Sequence, residues 1–337
     1  MIRPLILVCL PVVYAVAQPP KVGDINFYGL RRQTSERLLK AAGIEPGATL
    51  PPSKGDLEER LEGVPGVVAA RVEAVCCEGA KVTLFIGIEE RGGPHFETRS
   101  APAGSAVLPD DLMGDYREFL NAVERAAQRG AAAEDYSTGQ ARSADAAVRV
   151  FQERFAAFAA DNLELLHEVV RNGSEADQRA VAASVIGYFP KKDRVLNDLQ
   201  YALQDPDESV RANAVRSLKA IAVLAQKQPE SGLKVSPTWF VEMLNSLVLT
   251  DRQQAAEALV ILTEQPNPAA LDRMRERALP ALIEMARWKA LRYALPAFLL
   301  VGRIAEIPDT DLYAQWQRGD RDTAIRKASA PPPKARK

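Results

Sequence analysis

Four leucines, Leu166, Leu199, Leu244 and Leu282, each stand in an apolar run that leads through a polar turn into a second helix-periodic segment. They are spaced 33, 45 and 38 residues apart. A period of that length is too long for one helix and too short for a domain, so it predicts stacked helix pairs, each burying its apolar stripe against the next. The long interval predicts an insertion at about Gln226 to Pro237. Within the second unit, Asp205-Pro206-Asp207 makes the turn, an Asp there caps the following helix, and Val210, Ala214 and Leu218 face the core. Arg211, one turn in, is placed to pair with an acidic group of the neighbouring unit. Arg179 stands similarly in the unit before, whereas Gln254 takes that place in the unit after, which predicts a broken arginine ladder.

These residues resemble the HEAT repeat, most closely over Leu199 to Ala225. The resemblance implies a solenoid that presents a curved surface to other proteins and has no active site of its own. Asp205, Val210, Arg211, Ala214 and Leu218 are then structural, and Arg216 and Lys219 on an inner helix become candidate partner-binding residues.

The chain begins with Arg3, an apolar stretch from Leu5 to Val13, and Ala15-Val16-Ala17. That pattern predicts a signal peptide over 1–17, cleaved after Ala17. Cys9 lies inside the apolar run after Val8, which does not fit a lipid-attachment site, and no later segment is long and apolar enough to span a bilayer. The mature protein is expected to be exported, periplasmic or else secreted. In an oxidising space the adjacent pair Cys76-Cys77 is a candidate disulfide; a redox or intermolecular role is the alternative.

Residues 22–90 predict strand, helix, helix, strand, strand. Val22, Ile25 and Phe27 alternate; Thr34 caps a helix on Leu38, Leu39 and Ala42 that Gly43 stops; Lys54 to Glu62 carries Leu57 and Leu61 on one face. Val67 onward and Lys81 to Ile88 then form a hairpin. The runs Ile25-Asn26-Phe27-Tyr28-Gly29, Gly43-Ile44-Glu45-Pro46-Gly47 and Leu61-Glu62-Gly63-Val64-Pro65-Gly66-Val67 resemble a POTRA domain, the periplasmic module of outer-membrane barrel-assembly and secretion proteins. That resemblance implies binding of unfolded or partner polypeptides by strand addition, with the edge at Val67 to Val75, and Arg71, Val72, Glu73 and Val75 in particular, as the candidate site. A solvated edge on which Arg71 and Glu73 only prevent aggregation is the competing reading.

Gly- and Pro-rich residues 91–110 predict a flexible linker, residues 111–315 a helical region with HEAT-like repeats from about 161, and 316–337 a basic, Pro-containing disordered tail open to peripheral contact with a membrane. The fold class is thus an α+β N-terminal domain followed by an all-α solenoid. With 43 Lys and Arg against 44 Asp and Glu, the net charge of −1 excludes a strongly basic nucleic-acid binder. Two His leave little for catalysis or metal binding, and no cofactor is expected. The leading expectation is a non-enzymatic adaptor with protein partners in a bacterial envelope. Its rivals are an envelope enzyme or redox-active subunit using His167 or Cys76-Cys77, and a purely structural spacer.

Overall fold

The computed structural model describes residues 20–78 and 81–330. The expected leader over 1–17 and the end of the expected tail, 331–337, lie outside the described residues. The N-terminal module has the order β1 (Lys21–Tyr28), α1 (Ser35–Ala42), α2 (Lys54–Glu62), β2 (Val67–Glu78) and β3 (Lys81–Glu90). Thr34 accepts the Arg37 N–H at the start of α1, Ser53 does the same for Asp56 in α2, and Gly43 closes α1. β3 lies between the other strands, parallel to β1 and antiparallel to β2. One face of this sheet, including Leu84, Ile86 and Val72, packs on Leu38, Leu57 and Leu61 of the two helices. The opposite face belongs to a second core.

That second core runs through the helical body. Helices α3 (Asp110–Gln128) and α4 (Ala146–Asp161), linked by a hairpin of β4 (Glu134–Asp135) and β5 (Arg142–Ser143), cover its first end. Three helix pairs follow: α5 (Leu163–Asn172) with α6 (Ala176–Val185), α7 (Lys192–Ala202) with α8 (Glu208–Lys227), and α9 (Thr238–Met243) with α10 (Leu249–Leu262). Next come α11 (Pro268–Arg277), the pair α12 (Leu279–Ala286) and α13 (Leu291–Ile304), and the closing helices α14 (Asp309–Gln317) and α15 (Asp322–Ser329). The second helices of successive pairs, α6, α8, α10 and α13, stack into one layer. All four leucine anchors are fully buried, so the repeat follows the physical stacking of pairs.

Two expectations are corrected. Residues 91–109 are irregular, but they are packed rather than free: Arg99 N–H donates to Gln204 O, Gly104 bridges Gly173, and Phe96 packs on the core. This extended strap crosses the turns of the second and then the first helix pair, against the direction of the repeats. The expected disordered tail from 316 instead holds the end of α14 and, after a turn, α15 as far as Ser329, where Ala324, Ile325 and Ala328 make a buried stripe beneath its basic residues. In α3, Leu120 is half exposed and the buried face runs through Leu112, Tyr116, Phe119 and Ala126.

The sheet's second face docks on the far end of the repeats. Phe85 meets the edges of Trp288 and Tyr293 at centroid distances of 5.0 and 5.4 Å, and Tyr28 meets Trp288 at 5.9 Å. Tyr28 Oη donates to Leu247 O at 2.8 Å, and the Lys289 N–H donates to Asn26 Oδ1 at 2.9 Å. Gly87 makes room for this, since a Cβ there would stand 2.5 Å from the Tyr28 ring. The module is therefore built into the body.

Candidate interaction surfaces

A buried arginine ladder holds the turns of the repeats. Arg179 reaches both carboxylate oxygens of Asp205 at 2.9 Å and also donates to Gly173 O and Ser174 O. Arg211 repeats the arrangement one unit on, with Asp251 at 2.7 Å and with Asp205 O and Pro206 O. The third rung is Arg252, whose Nε donates to Ser246 O six residues back, as Arg211 does to Asp205 O. The break expected at Gln254 is thus a register error of two positions, and the ladder continues. Ser246 replaces the turn aspartate and donates to Asp251, which supplies the carboxylate. Among the described residues Arg252 has no such carboxylate bond; its guanidinium lies 4.7 Å from the Tyr28 ring centre, and Glu284 of α12 contributes favourable charge. Val210, Ala214 and Leu218 are fully buried, and Asp207, two residues after Asp205, caps α8 through the N–H groups of Ser209 and Val210.

The residues expected on a solenoid binding face are used internally. Arg216 holds Glu134 of the β4–β5 hairpin and also donates to Tyr188 Oη and Ala141 O. Lys219 is largely buried, with its Nζ 2.7 Å from Glu257. Neither presents a free charge to a partner, because the hairpin and α10 lie across that side of α8.

The β2 edge differs as much from expectation. Val72 is buried in the module's core, Val75 packs against the helical body, and Arg71 joins Glu73 at 2.8 Å and Glu208 of α8 at 2.7 Å. The Ala70 N–H donates to Glu62 at 3.0 Å and the Val72 N–H to Glu58 at 2.7 Å. The edge is not the bare row of donors that strand addition uses. Cys76 is disulfide-bonded; the Cys77 side chain lies outside the described residues.

His167 Nδ1 stands 2.5 Å from Asp198, which Arg171 also engages. Among the described residues no hydroxyl or thiol hydrogen-bonds to this imidazole, so the nucleophile needed for a triad is not brought to it. Among the described residues there is also no group of three or more His, Cys, Asp or Glu able to hold a metal ion, and no helix long and apolar enough to cross a membrane.

What the fold does build is a cleft of about 880 Å³ between the strap and helices α9 and α11. His95 and Arg99 line it from the strap, Trp239 from α9, and Arg273, Glu276 and Arg277 from α11. Arg99 is fixed by Asp205 and lies 3.7 Å over the Tyr201 ring; Arg277 is fixed by Glu242. Arg273 and Glu276 are exposed and, among the described residues, have no ion-pair partner, and Trp239 is half-buried. Sequence reasoning missed this site because its two walls are more than 130 residues apart in the chain.

A family model described as HEAT repeats matches residues 163–259, less than half of the chain. No curated protein matches it. Among solved structures, a designed armadillo repeat protein is similar over 59% of this chain and 92% of its own, at 16% identity and a TM-score of 0.36. The matched segment is the stretch in which three helix pairs share the arginine ladder. The chain is a small N-terminal sheet module followed by a helical repeat body, in which residues 163–259 are similar to HEAT repeats.

Proposed function

We propose that this chain is a non-catalytic adaptor of a bacterial envelope, exported by its N-terminal leader, with a POTRA-type module docked on a HEAT-type body, and that it takes protein partners in the cleft between the strap and α9–α11. The observation that carries the reading is the cleft itself. It joins a half-buried Trp239 to the uncompensated charges of Arg273 and Glu276, whereas the side chains first expected to bind, Arg71, Arg216 and Lys219, are used in ion pairs within the molecule. Aromatic and arginine side chains in a concave site are the groups that dominate protein–protein binding energy. A role in outer-membrane protein assembly or secretion follows from the module's resemblance alone and is part of the proposal.

The test places a photo-crosslinking residue at Trp239 and, as a control, at Lys219, in cells making the full chain. Crosslinks to one discrete partner from position 239 and not from 219, lost when Arg273→Glu is added, support the reading. Equal labelling from both positions, or none from 239, refutes it. Fractionation with N-terminal sequencing of the mature chain tests export, which requires a start at Gln18.

A further inference from the structure

The two edges of the N-terminal sheet are closed in different ways. β1 is covered by backbone and by the body: the Val22 N–H donates to Ala48 O, Lys21 bridges Thr49, and Trp288 Nε1 donates to Phe27 O. Among the described residues β2 has no neighbouring strand on its outer side, yet two of its outward donors are occupied by carboxylates of one helix. The geometry is matched. Residues four apart on a helix are separated by about 6 Å along its axis, and residues two apart on a strand by about 6.7 Å. Glu62 and Glu58 therefore fall on the successive outward N–H groups of Ala70 and Val72, with α2 running antiparallel to β2. The next step along both elements sets Lys54 against Ala74. An ammonium cannot accept from an N–H, and Lys54 turns instead to Glu73 at 3.0 Å. The outward N–H of Ala74, an exposed residue, is the first beyond the reach of the two carboxylates.

From this we infer that α2 is an edge guard: Glu58 and Glu62 hold the centre of β2 closed against strand pairing, and the strand they exclude is the β2 of a second copy. The favoured occupant follows from the strand's own pattern. An antiparallel pairing with its two-fold axis at Val72 sets Val72 against Val72 and Ala70 against Ala74, which exchanges the outward backbone groups. The same register sets Arg71 of each copy opposite Glu73 of the other, so the charges on the strand complement themselves. Without the guard, a 12-residue strand with that symmetry is a ready template for edge-to-edge association.

The experiment compares the full-length mature protein with Glu58→Ala/Glu62→Ala and with that pair plus Ala74→Pro, by sedimentation and by amide exchange. The wild type is expected to be monomeric through this edge, with the Ala70 and Val72 amides exchanging about 100-fold more slowly than the Ala74 amide. The alanine pair is expected to dimerise, and the added proline, which removes an outward donor, to restore the monomer. The inference is overturned by wild-type Ala70 and Val72 amides that exchange as fast as Ala74, by a folded alanine pair that stays monomeric, or by a dimer indifferent to Ala74→Pro. A folded pair that stays monomeric but captures an added extended peptide assigns the edge to a foreign strand and overturns the self-pairing. Should the alanine pair not fold, wild-type exchange decides alone. None of these outcomes depends on the cleft of the repeat body.

Discussion

Arg211 and Asp251 are each almost entirely buried, and Asp251 also receives the Ser246 hydroxyl. Removing one partner leaves the other charge without compensation, so Asp251→Ala is expected to cost about 3–5 kcal/mol in chemical unfolding, and Arg211→Met with Asp251→Leu to recover most of it. A second buried cation behaves differently. Lys192 donates to Gly187 O and Phe189 O, and burial pushes its ammonium down to about 8. The unfolded chain keeps that proton to higher pH, so over about pH 8 to 9.5 the unfolded state binds more protons and stability rises with pH. Relative to Lys192→Met, the wild type should gain about 2 kcal/mol across that window, read as a shift in denaturant midpoint. Arg211 was legible in the sequence because its turn motif is local. Its partner was not: Asp251 lies 40 residues on, past an insertion that shifted the apparent register by two. Buried Lys192 gave no sign at all, since it opens a helix amid charged neighbours.

At the scale of elements, the strap shows why composition misleads. Gly and Pro with few large apolar residues read as a free linker, yet the segment is held by its backbone and by Arg99, whose partners Tyr201 and Asp205 are over 100 residues away. Gly104 is the tightest point: a Cβ there would stand 2.4 Å from Asn172 O, a backbone atom that cannot turn aside. Gly104→Ala should lift the strap locally, with faster limited proteolysis within residues 91–103 and little change in global unfolding. The first helix of the N-terminal module, in contrast, was readable down to its caps, because Thr34 and Gly43 act within one turn of where they stand. The bonds of Glu58 and Glu62 to β2 were not, since nothing local in an acidic helix face says which backbone it meets.

Both halves of the molecule could be read separately; their union could not. The contacts between them join Tyr28 and Phe85 to residues from Leu247 to Tyr293, and neither side alone differs from an ordinary aromatic core position. The shared aromatic core predicts one cooperative thermal transition for the whole chain. Phe85→Ala with Trp288→Ala should remove several kcal/mol from the interface and split that transition in two, as calorimetry would show. The order in which these parts leave the ribosome adds a consequence. Tyr28 bonds a residue 219 positions later, and Phe27 one 261 positions later, so the newborn module carries a greasy, uncovered face until the segments bearing Leu247 and Trp288 have followed it. Until the region around Trp288 and Tyr293 is made, that face is open to misassembly, and a late pair of helices completes what the first strands began.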